Sequence, residues 1–294
     1  MIRRPVRPPA AAAPASTVPS AAASAAALKY AAARRAAGRN AVEGVNVAVV
    51  ICAAGSSSRM AGGGLKKEYR AMPGSGGRLT VLGATVRAFA VLPEVQTIVI
   101  AVPDDTLTGE AAARRAIPRL FLEGREPALH FVKGGRTRRV SVFNALSILA
   151  QKFGEKPGRR SYVLIHDGAR PWINPSFVRR IIAEVKKHPA VIPILPLAET
   201  PKETTLPING QFGAGATVYV KNHLKRPFVG SSQTPQAFAF PEILELHKMA
   251  DEHERVTGTE FTDDAEIWGI FHGSVAVIPG DPRNRKITFP EDLG

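Results

Sequence analysis

The stretch VNVAVVICAAGSSSRM, residues 45–60, decides the fold. Its first part, residues 45–53, is a continuous apolar run with the length and composition of a buried β-strand. The run leads directly into small residues and Arg59. Small side chains let backbone N–H groups approach an anion closely, and the arginine adds a fixed positive charge. The stretch therefore predicts a triphosphate-binding loop after the first strand, with an ordinary glycine-serine turn as the alternative.

Strand-like and helix-like segments alternate through the rest of the chain. Apolar runs predict further strands at residues 95–102, 128–132, 162–165, 191–197 and 275–278. Helical spacing predicts helices at residues 81–92, 137–151, 175–185 and 241–254, and another that begins with Thr262 as its N-cap. Continuous apolar strands joined by helices are typical of a mostly parallel sheet with helices on both faces. Such α/β sheets bind ligands at the carboxyl ends of their strands.

Positive charge is unevenly distributed along the 294 residues. The formal net charge of +14 indicates a polyanionic partner. Residues 1–42 contain no acidic residue and seven basic ones: Arg3, Arg4, Arg7, Lys29, Arg34, Arg35 and Arg39. The remainder is moderately basic, which suits an enzyme of phosphorylated substrates. It lacks the alternation of aromatic and basic residues that binds single-stranded nucleic acid, so no nucleic-acid partner is expected.

The single cysteine, Cys52, limits the classes of site that the chain can hold. One cysteine forms neither an intrachain disulfide nor a cysteine-based zinc site. Its position within the first apolar run predicts a core residue rather than a nucleophile. No apolar stretch is long enough to span a bilayer. We therefore expect a protein of the bacterial cytoplasm without a membrane partner.

Residues 1–43 differ in composition from residues 44–294, which are the predicted folded domain. They are rich in Ala, Pro, Ser and Arg and show no apolar periodicity, which predicts a segment outside the domain. Three explanations stay open: a disordered tail, an organelle transit peptide, and an upstream stretch outside the true reading frame. A transit peptide would direct the protein to a plastid instead of the bacterial cytoplasm.

A glycine-rich motif, KGGRTRRVSV at residues 133–142, follows the predicted third strand. Its two glycines permit close backbone approach, and the hydroxyl of Ser141 can bond a base or a ribose. The alternative is an ordinary glycine turn in which Thr137 caps the next helix. Both interpretations stay open for this motif on its own.

A compact polar motif, HDGARP at residues 166–171, follows the predicted fourth strand. Asp167 can bond ribose hydroxyls or help to hold a divalent cation, and Arg170 can clamp a phosphate. The alternative is an Asp–Arg pair that only orders the loop. His166 is predicted to be structural, because no carboxylate is spaced to form a catalytic triad with it.

Three further residues are candidates only because of their positions after strands. Thr200 in ETPKE and Thr234 in SQTPQ are plausible hydroxyl donors to a phosphate, and Lys286 in NRKIT is a lone cation after the last strand. Taken singly, such residues are typical of turns and surfaces. Their order along the chain, together with the earlier motifs, is more informative than any one of them.

Eight motifs in a fixed order give the chain a specific resemblance. They are AAGSSSRM, KEY, GG followed by R-x-x-S-V, HDGARP, ETPK, QTPQ, TDDA and RKIT. In this order they resemble the 2-C-methyl-D-erythritol 4-phosphate cytidylyltransferase family over residues 45–293. The resemblance implies a Rossmann-like α/β domain and a β-arm at about residues 198–232 that forms a homodimer. It also implies transfer of the cytidylyl group of CTP to methylerythritol phosphate, with Mg²⁺ on the triphosphate and release of pyrophosphate.

The resemblance also assigns site residues. It implies two catalytic cations, Arg59 and Lys67, of which Lys67 is preferred over Lys66 because it precedes Glu68 and Tyr69 as in the family. The implied nucleotide-binding residues are Ala53, Ala54, Gly55, Ser56, Lys66, Gly135, Ser141, Asp167 and Gly168. The implied acceptor-binding residues are Arg170, Thr200, Thr234, Lys286 and Arg226, the last reaching the partner subunit's site. Asp167 is the one candidate for a direct metal ligand.

The chemistry agrees with these assignments. A phosphate nucleophile is already ionised at pH 7, so the reaction needs positioning and charge neutralisation rather than a general base. Two alternatives stay open: a cytidylyltransferase for another polyol phosphate such as ribitol 5-phosphate, and a nucleotide-binding module without turnover. A nicotinamide dehydrogenase is disfavoured, because the chain lacks the G-x-G-x-x-G motif. Arg136 departs from the family, in which an acidic residue is common at this position.

Overall fold

The computed structural model of the chain describes residues 45–56, 65–105, 107–117, 127–153, 160–208 and 217–293. The predicted tail, residues 1–43, and the predicted catalytic Arg59 lie outside these ranges. Within them, no helix is long and apolar enough to cross a membrane.

Strands and helices alternate as the sequence predicts. The strands are β1 (Val45–Cys52), β2 (Val95–Val102), β3 (Ala128–Lys133), β4 (Arg160–Asp167), β5 (Ala190–Pro196), β6 (Lys202–Thr204), β7 (Val220–His223), β8 (Gly230–Ser232), β9 (Gln236–Phe240) and β10 (Ala276–Pro279). The α-helices are α1 (Val81–Ala90), α2 (Glu110–Ala116), α3 (Arg138–Phe153), α4 (Pro175–Val185), α5 (Glu242–Thr257) and α6 (Asp264–Phe271). Every predicted strand and helix is present, with small shifts at the ends.

Eight strands form one mixed sheet in the order β10-β5-β9-β4-β1-β2-β3, with β8 paired to β5. The pairs β4–β1, β1–β2, β2–β3 and β10–β5 are parallel, whereas β9 runs antiparallel between β4 and β5. The prediction of a mostly parallel sheet is thus confirmed, with β9 as an antiparallel strand at its centre. Strands β6 and β7 form a separate two-stranded antiparallel sheet.

Some elements have no counterpart in the predictions. Strand β9 reads QAFAF and begins at the last residue of SQTPQ, a motif whose proline and polar residues indicate a turn, yet all five residues of the strand are buried. Helix α2 reads EAAARRA, in which only alanines face the core and no apolar periodicity is visible. In both cases burial is set by neighbouring elements rather than by the local pattern.

The start of α6 corrects one predicted helix cap. Asp263, not Thr262, is the N-cap, because its Oδ1 accepts a hydrogen bond from Glu266 N at 2.9 Å. Thr262 lies one residue earlier, and both its backbone N and its hydroxyl donate to Glu266 Oε2 at 2.8 Å. The capping box is therefore displaced by one residue. The predicted cap at Asn174 is confirmed, since its side chain accepts from Ser176 N.

Helices cover both faces of the main sheet and enclose its core. Helices α1 and α4 pack on one face, and α3, α5 and α6 lie on the other. The central strands are buried on both faces, which explains why every residue of β1 except Asn46 is apolar. Because β1, β2, β3 and β4 are parallel, their carboxyl ends meet at one edge, and the polar loops that follow them are brought together there.

Truncation of a core side chain tests this packing. Leu149 on α3 is fully buried against the sheet, so Leu149→Ala is expected to lower the free energy of unfolding by about 2–5 kcal/mol. Leu107→Ala is the matched control, because Leu107 is 83% exposed, and its effect is expected within about 0.5 kcal/mol. Urea denaturation measures both, and equal losses in the two variants would contradict the described core.

Candidate active site

A pocket of about 800 Å³ opens where the carboxyl ends of β1, β2, β3 and β4 meet. Nine of the residues assigned from the sequence line it: Ala54, Gly55, Ser56, Lys66, Lys67, Gly135, Ser141, Asp167 and Lys286. They come from the segments that follow β1 and β3, from the end of β4, and from the segment after β10. The structure therefore brings together most of the predicted nucleotide-binding residues at one place.

Glycines let three of these loops approach one another closely. A Cβ on Gly134 would lie 2.2 Å from the Cβ of Ala54, and one on Gly168 would lie 2.9 Å from the carbonyl oxygen of Cys52. Gly168 N instead donates to that carbonyl oxygen at 2.9 Å. The loops after β1, β3 and β4 can form one pocket wall only because side chains are missing at these two positions. Ala53 is fully buried beneath that wall.

The β3–α3 loop is closed by the hydroxyl of Ser141. Gly135 N donates to Ser141 Oγ at 3.0 Å, and Ser141 Oγ donates to the carbonyl oxygen of Thr137 at 2.9 Å. Ser141 thus fixes the shape of the loop and also lines the pocket. The two interpretations of this motif are compatible, because the turn that it forms is part of the pocket.

Two buried lysines lie at the side of the pocket. Lys66 donates to the carbonyl oxygen of Gly55 and lies 3.4 Å from Glu68 Oε2. Lys67 donates to the carbonyl oxygen of Ile287 at 2.9 Å. Both lysines line the pocket, so either can supply positive charge to a ligand there. The preference for Lys67 over Lys66 stays a prediction.

The carboxylate of Asp167 lies among three cations. Lys286 Nζ is 3.0 Å and Arg170 Nε is 3.1 Å from Oδ2, while Arg138 Nε is 3.8 Å from Oδ1. Burial alone would raise the pKa of Asp167, but Lys286, Arg138 and Arg170 together hold it well below its usual value. Asp167 is therefore an anion at the pH of any cell, and the cluster as a whole carries excess positive charge.

Arg138 and Asp264 are residues of this region that the sequence analysis did not single out. Arg138 is the first residue of α3 and lines the pocket, and its Nη1 lies 2.8 Å from Oδ2 of the buried Asp264. His247 Nε2 lies 3.2 Å from the other oxygen of Asp264. Burial raises the pKa of Asp264, but Arg138 and His247 outweigh it and hold that pKa below its usual value. Both residues lie within motifs that carried the resemblance, R-x-x-S-V and TDDA.

His166 is structural, as predicted. It is fully buried, its Nδ1 lies 3.0 Å from Thr234 Oγ1, and its Nε2 lies 3.3 Å from the carbonyl oxygen of Arg170. A neutral ring with the proton on Nε2 satisfies both contacts, since Thr234 Oγ1 already accepts from Asp167 N at 3.1 Å. Burial lowers the pKa of His166 to about 3. Through these contacts, the ring fixes the position of the loop that carries Asp167 and Arg170.

Cys52 is at the end of β1 and packs against the core, although it also contributes to the pocket lining. Burial raises the pKa of its thiol to about 12. A thiol with that pKa carries almost no thiolate at neutral pH, so it is a poor nucleophile. The interpretation of Cys52 as a packing residue agrees with this environment.

The predicted acceptor-binding residues are less closely gathered. Thr234 is buried behind Asp167, and Arg170 Nη1 donates to the carbonyl oxygen of Asn284 at 2.9 Å. Thr200 and Arg226 are exposed and do not line the pocket, and Arg226 Nη1 donates to the carbonyl oxygen of Ala198 at 2.8 Å. Within the described part of one chain, only Lys286 of this group lines the pocket.

Two amides that the sequence analysis missed hold the segment carrying Lys286. Gln233 exchanges two hydrogen bonds with the backbone of Asp281, each at 3.0 Å. Asn284 Nδ2 donates to the carbonyl oxygen of Thr234 at 2.7 Å. The segment is thereby fixed against the loop before β9, which explains how a lysine in an irregular stretch reaches Asp167.

The sheet, the small-residue loop and the cationic pocket define an α/β protein of the nucleotidyltransferase type. The family described as IspD: 2-C-methyl-D-erythritol 4-phosphate cytidylyltransferase matches residues 47–294, and the chain belongs to this family. The family resemblance and the fold class predicted from the sequence are thus confirmed.

Relatives and solved structures agree with the family assignment. The bifunctional enzyme IspD/IspF of a Bradyrhizobium species is 37% identical over 247 residues, which cover 84% of this chain and 54% of that protein. The chain thus spans about half the length of such bifunctional relatives. The structure of 4-diphosphocytidyl-2C-methyl-D-erythritol synthase from Anaerococcus prevotii has a TM-score of 0.61 at 26% identity, covering 85% of this chain and 96% of the other. The structure of 2-C-methyl-D-erythritol 4-phosphate cytidylyltransferase from Thermus thermophilus has a TM-score of 0.56 at 25% identity, covering 84% of this chain and 95% of the other.

The environment of His166 predicts a pH-dependent stability. Its pKa is about 3 in the folded state, whereas an unperturbed histidine has a pKa of 6.5, so the unfolded state binds more protons between these limits. Stability is therefore full above pH 6.5 and falls on acidification, by up to about 1.4 kcal/mol per pH unit. In urea denaturation between pH 7 and pH 5, His166→Asn is expected to show a shallower decline than the natural protein. Parallel declines would contradict a buried neutral His166.

Proposed function

We propose that this chain transfers the cytidylyl group of CTP to 2-C-methyl-D-erythritol 4-phosphate, giving 4-diphosphocytidyl-2-C-methyl-D-erythritol and pyrophosphate. The observation that carries the proposal is the pocket in which a cytidylyltransferase family's motif residues converge from distant parts of the chain. A pocket lined by lysines and arginines favours a polyanionic ligand, and a triphosphate is one.

The reaction is a displacement at the α-phosphorus of CTP. An oxygen of the acceptor phosphate forms a new P–O bond with that phosphorus, and the bond to the bridging oxygen of the β-phosphate breaks. Pyrophosphate leaves with the electron pair. No proton has to be removed from the attacking phosphate, which is ionised at neutral pH. The protein's task is to bring two anions together and to neutralise the charge that develops.

The buried lysines suit that task. Lys67 and Lys66 have fixed positions beside the loop after β1, where the family resemblance locates the triphosphate. Lys286 lies beside Asp167 at the other side of the pocket, where it suits the acceptor phosphate. A pre-positioned cation costs no reorganisation as the transition state forms, and one such group contributes about 3–4 kcal/mol to lowering the barrier.

Magnesium is the cofactor that we propose for the triphosphate. Among the described residues, no group of three or more His, Cys, Asp or Glu side chains forms a protein-only metal site. Mg²⁺ in nucleotide sites is held by one or two carboxylates together with phosphate oxygens and water. Asp167 fits this requirement, because it is a carboxylate in the pocket whose pKa is held low. When bound, the ion would withdraw negative charge from the triphosphate.

The two-stranded sheet of β6 and β7 is the candidate for the dimerisation arm. It lies within the predicted arm, whereas β8 at the end of that range pairs with β5 in the main sheet. Isolated two-stranded sheets are marginally stable, and this one and the residues that flank it leave large apolar side chains exposed. They are Leu206, Ile208, Tyr219, Val220, Leu224 and Phe228. A second copy of the chain is the partner that we propose for this surface, with Arg226 reaching the second copy's site.

The location of the protein in the bacterial cytoplasm stays a prediction.

Pyrophosphate release tests the proposed reaction directly. The protein is incubated with CTP, Mg²⁺ and one acceptor at a time, and we expect the highest kcat/KM with methylerythritol phosphate. Higher kcat/KM with ribitol 5-phosphate would make the chain a cytidylyltransferase of a different polyol phosphate. CTP binding without pyrophosphate release from any acceptor would instead indicate a binding module without turnover.

Substitution of the catalytic cations is the second test. Lys67→Ala and Arg59→Ala are each expected to lower kcat by about 100- to 1000-fold, because a cation at the reacting phosphate is lost. CTP affinity is expected to stay within about tenfold, since other cations remain in the pocket. Lys248→Ala is the matched control, because Lys248 is an exposed lysine on α5 outside the pocket. A larger loss in Lys66→Ala than in Lys67→Ala would reassign the catalytic lysine.

The oligomeric state tests the arm. Phe228 is 85% exposed in the single chain, so Phe228→Asp is expected to shift the protein from dimer to monomer in sedimentation velocity at micromolar concentration. Val256→Asp is the control, because Val256 is also exposed but lies on α5, away from the arm. A natural protein that sediments as a monomer would rule out the proposed dimer.

A further inference from the structure

A buried ion pair connects the floor of the pocket to the start of α6. Asp264 is fully buried, and among the described residues Arg138 Nη1 lies 2.8 Å and His247 Nε2 lies 3.2 Å from its carboxylate oxygens. Arg138 retains 28% exposure of its side chain and lines the pocket. One end of the pair is thus inside the protein and the other end faces the ligand space.

Asp264 is held in place from several directions. It follows the N-cap residue Asp263, whose Oδ2 accepts from Gln236 Nε2 at 2.7 Å. Gln236 Oε1 in turn accepts from Ala265 N at 3.0 Å. The side chain of Gln236 therefore holds the Asp263 side chain and the Ala265 backbone, on either side of Asp264, against β9. A carboxylate fixed in this way is a rigid anchor for a long, flexible arginine side chain.

Arg138 lies between two carboxylates and contacts them unequally. Its Nη1 is 2.8 Å from Asp264 Oδ2, a close ion-pair contact, whereas its Nε is 3.8 Å from Asp167 Oδ1. The second distance is too long for a direct hydrogen bond. Arg138 thus neutralises Asp167 from a distance without occupying its oxygen, and N–H groups of the guanidinium stay available because arginine has five.

We propose that Asp264 is a positioning residue of the nucleotide pocket, which acts by holding the Arg138 guanidinium away from a direct pair with Asp167. The proposal rests on the proposed function, since it concerns the binding of CTP. Without the negative charge of Asp264, Asp167 becomes the nearest carboxylate to Arg138. The two then pair directly, and both are withdrawn from the nucleotide.

This arrangement predicts that the effect of Asp264→Asn on CTP affinity depends on whether Arg138 is present. Asp264→Asn keeps the shape but removes the charge, and we expect CTP affinity and kcat/KM to fall about tenfold. In the Arg138→Gln background no guanidinium is left to position. There, adding Asp264→Asn is expected to change CTP affinity by less than about twofold.

Calorimetric titration of CTP into the four proteins of this double-mutant cycle is the test. The neighbouring pair of Arg139 with Asp251, at 2.6 Å, is the matched control, because it joins α3 to α5 and does not line the pocket. Arg139→Gln and Asp251→Asn are expected to lower the melting temperature while leaving CTP affinity within about twofold. Arg138→Lys is a further variant, which retains a positive charge beside Asp264. We expect its CTP affinity to fall about tenfold, since a lysine ammonium lacks the several planar N–H donors of a guanidinium.

The outcomes separate the inference from the function on which it rests. A natural protein that neither binds CTP nor releases pyrophosphate would remove the proposed function. If the natural protein is active, an equal loss from Asp264→Asn in both backgrounds would overturn the positioning role alone. If Asp264→Asn does not fold, natural affinity in Arg138→Lys would overturn the role of the guanidinium, and a tenfold loss would support it.

Discussion

The carboxylate of Asp167, surrounded by cations, is the interaction on which the site depends. Three basic side chains from three separate parts of the chain converge on it, and none of them would be stable so close to the others without that negative charge. The loops that carry them are thereby drawn to one edge of the sheet. Three cations around one carboxylate leave an excess of positive charge. A polyanionic ligand would neutralise that excess.

Neutral hydrogen bonds behind this cluster give it a fixed geometry. Thr234 Oγ1 accepts a hydrogen bond from Asp167 N and contacts His166 Nδ1. Asn284 and Gln233 fix the segment that carries Lys286. All four side chains are buried, so these hydrogen bonds are shielded from competing water. The charged groups of the pocket are therefore supported by a rigid polar layer, as pre-organised electrostatic sites require.

The sequence predicts the parts of this protein that are encoded locally. The sequence alone predicts β1 and its small-residue loop, because a strand buried on both faces is apolar at every position but Asn46, and the order of motifs identifies the family. Strand β9 could not be predicted from the sequence, since its burial between β4 and β5 depends on pairing with distant strands. The same holds for the pair of Arg138 with Asp264, which a local pattern cannot reveal because its members lie on different helices.

The hydrogen bond from Lys67 to Ile287 has a consequence for folding. It joins residues 220 positions apart, and the bond from Arg170 to Asn284 spans 114 positions. Contacts between such distant residues carry a large loop-closure entropy and form after local ones. The central strands and their adjacent helices can assemble early, whereas the contacts that Ile287 and Asn284 make with the pocket segments form only when the last strand has docked. The pocket is therefore completed late in folding, and a nearly complete sheet still lacks the part of the pocket lining that follows β10.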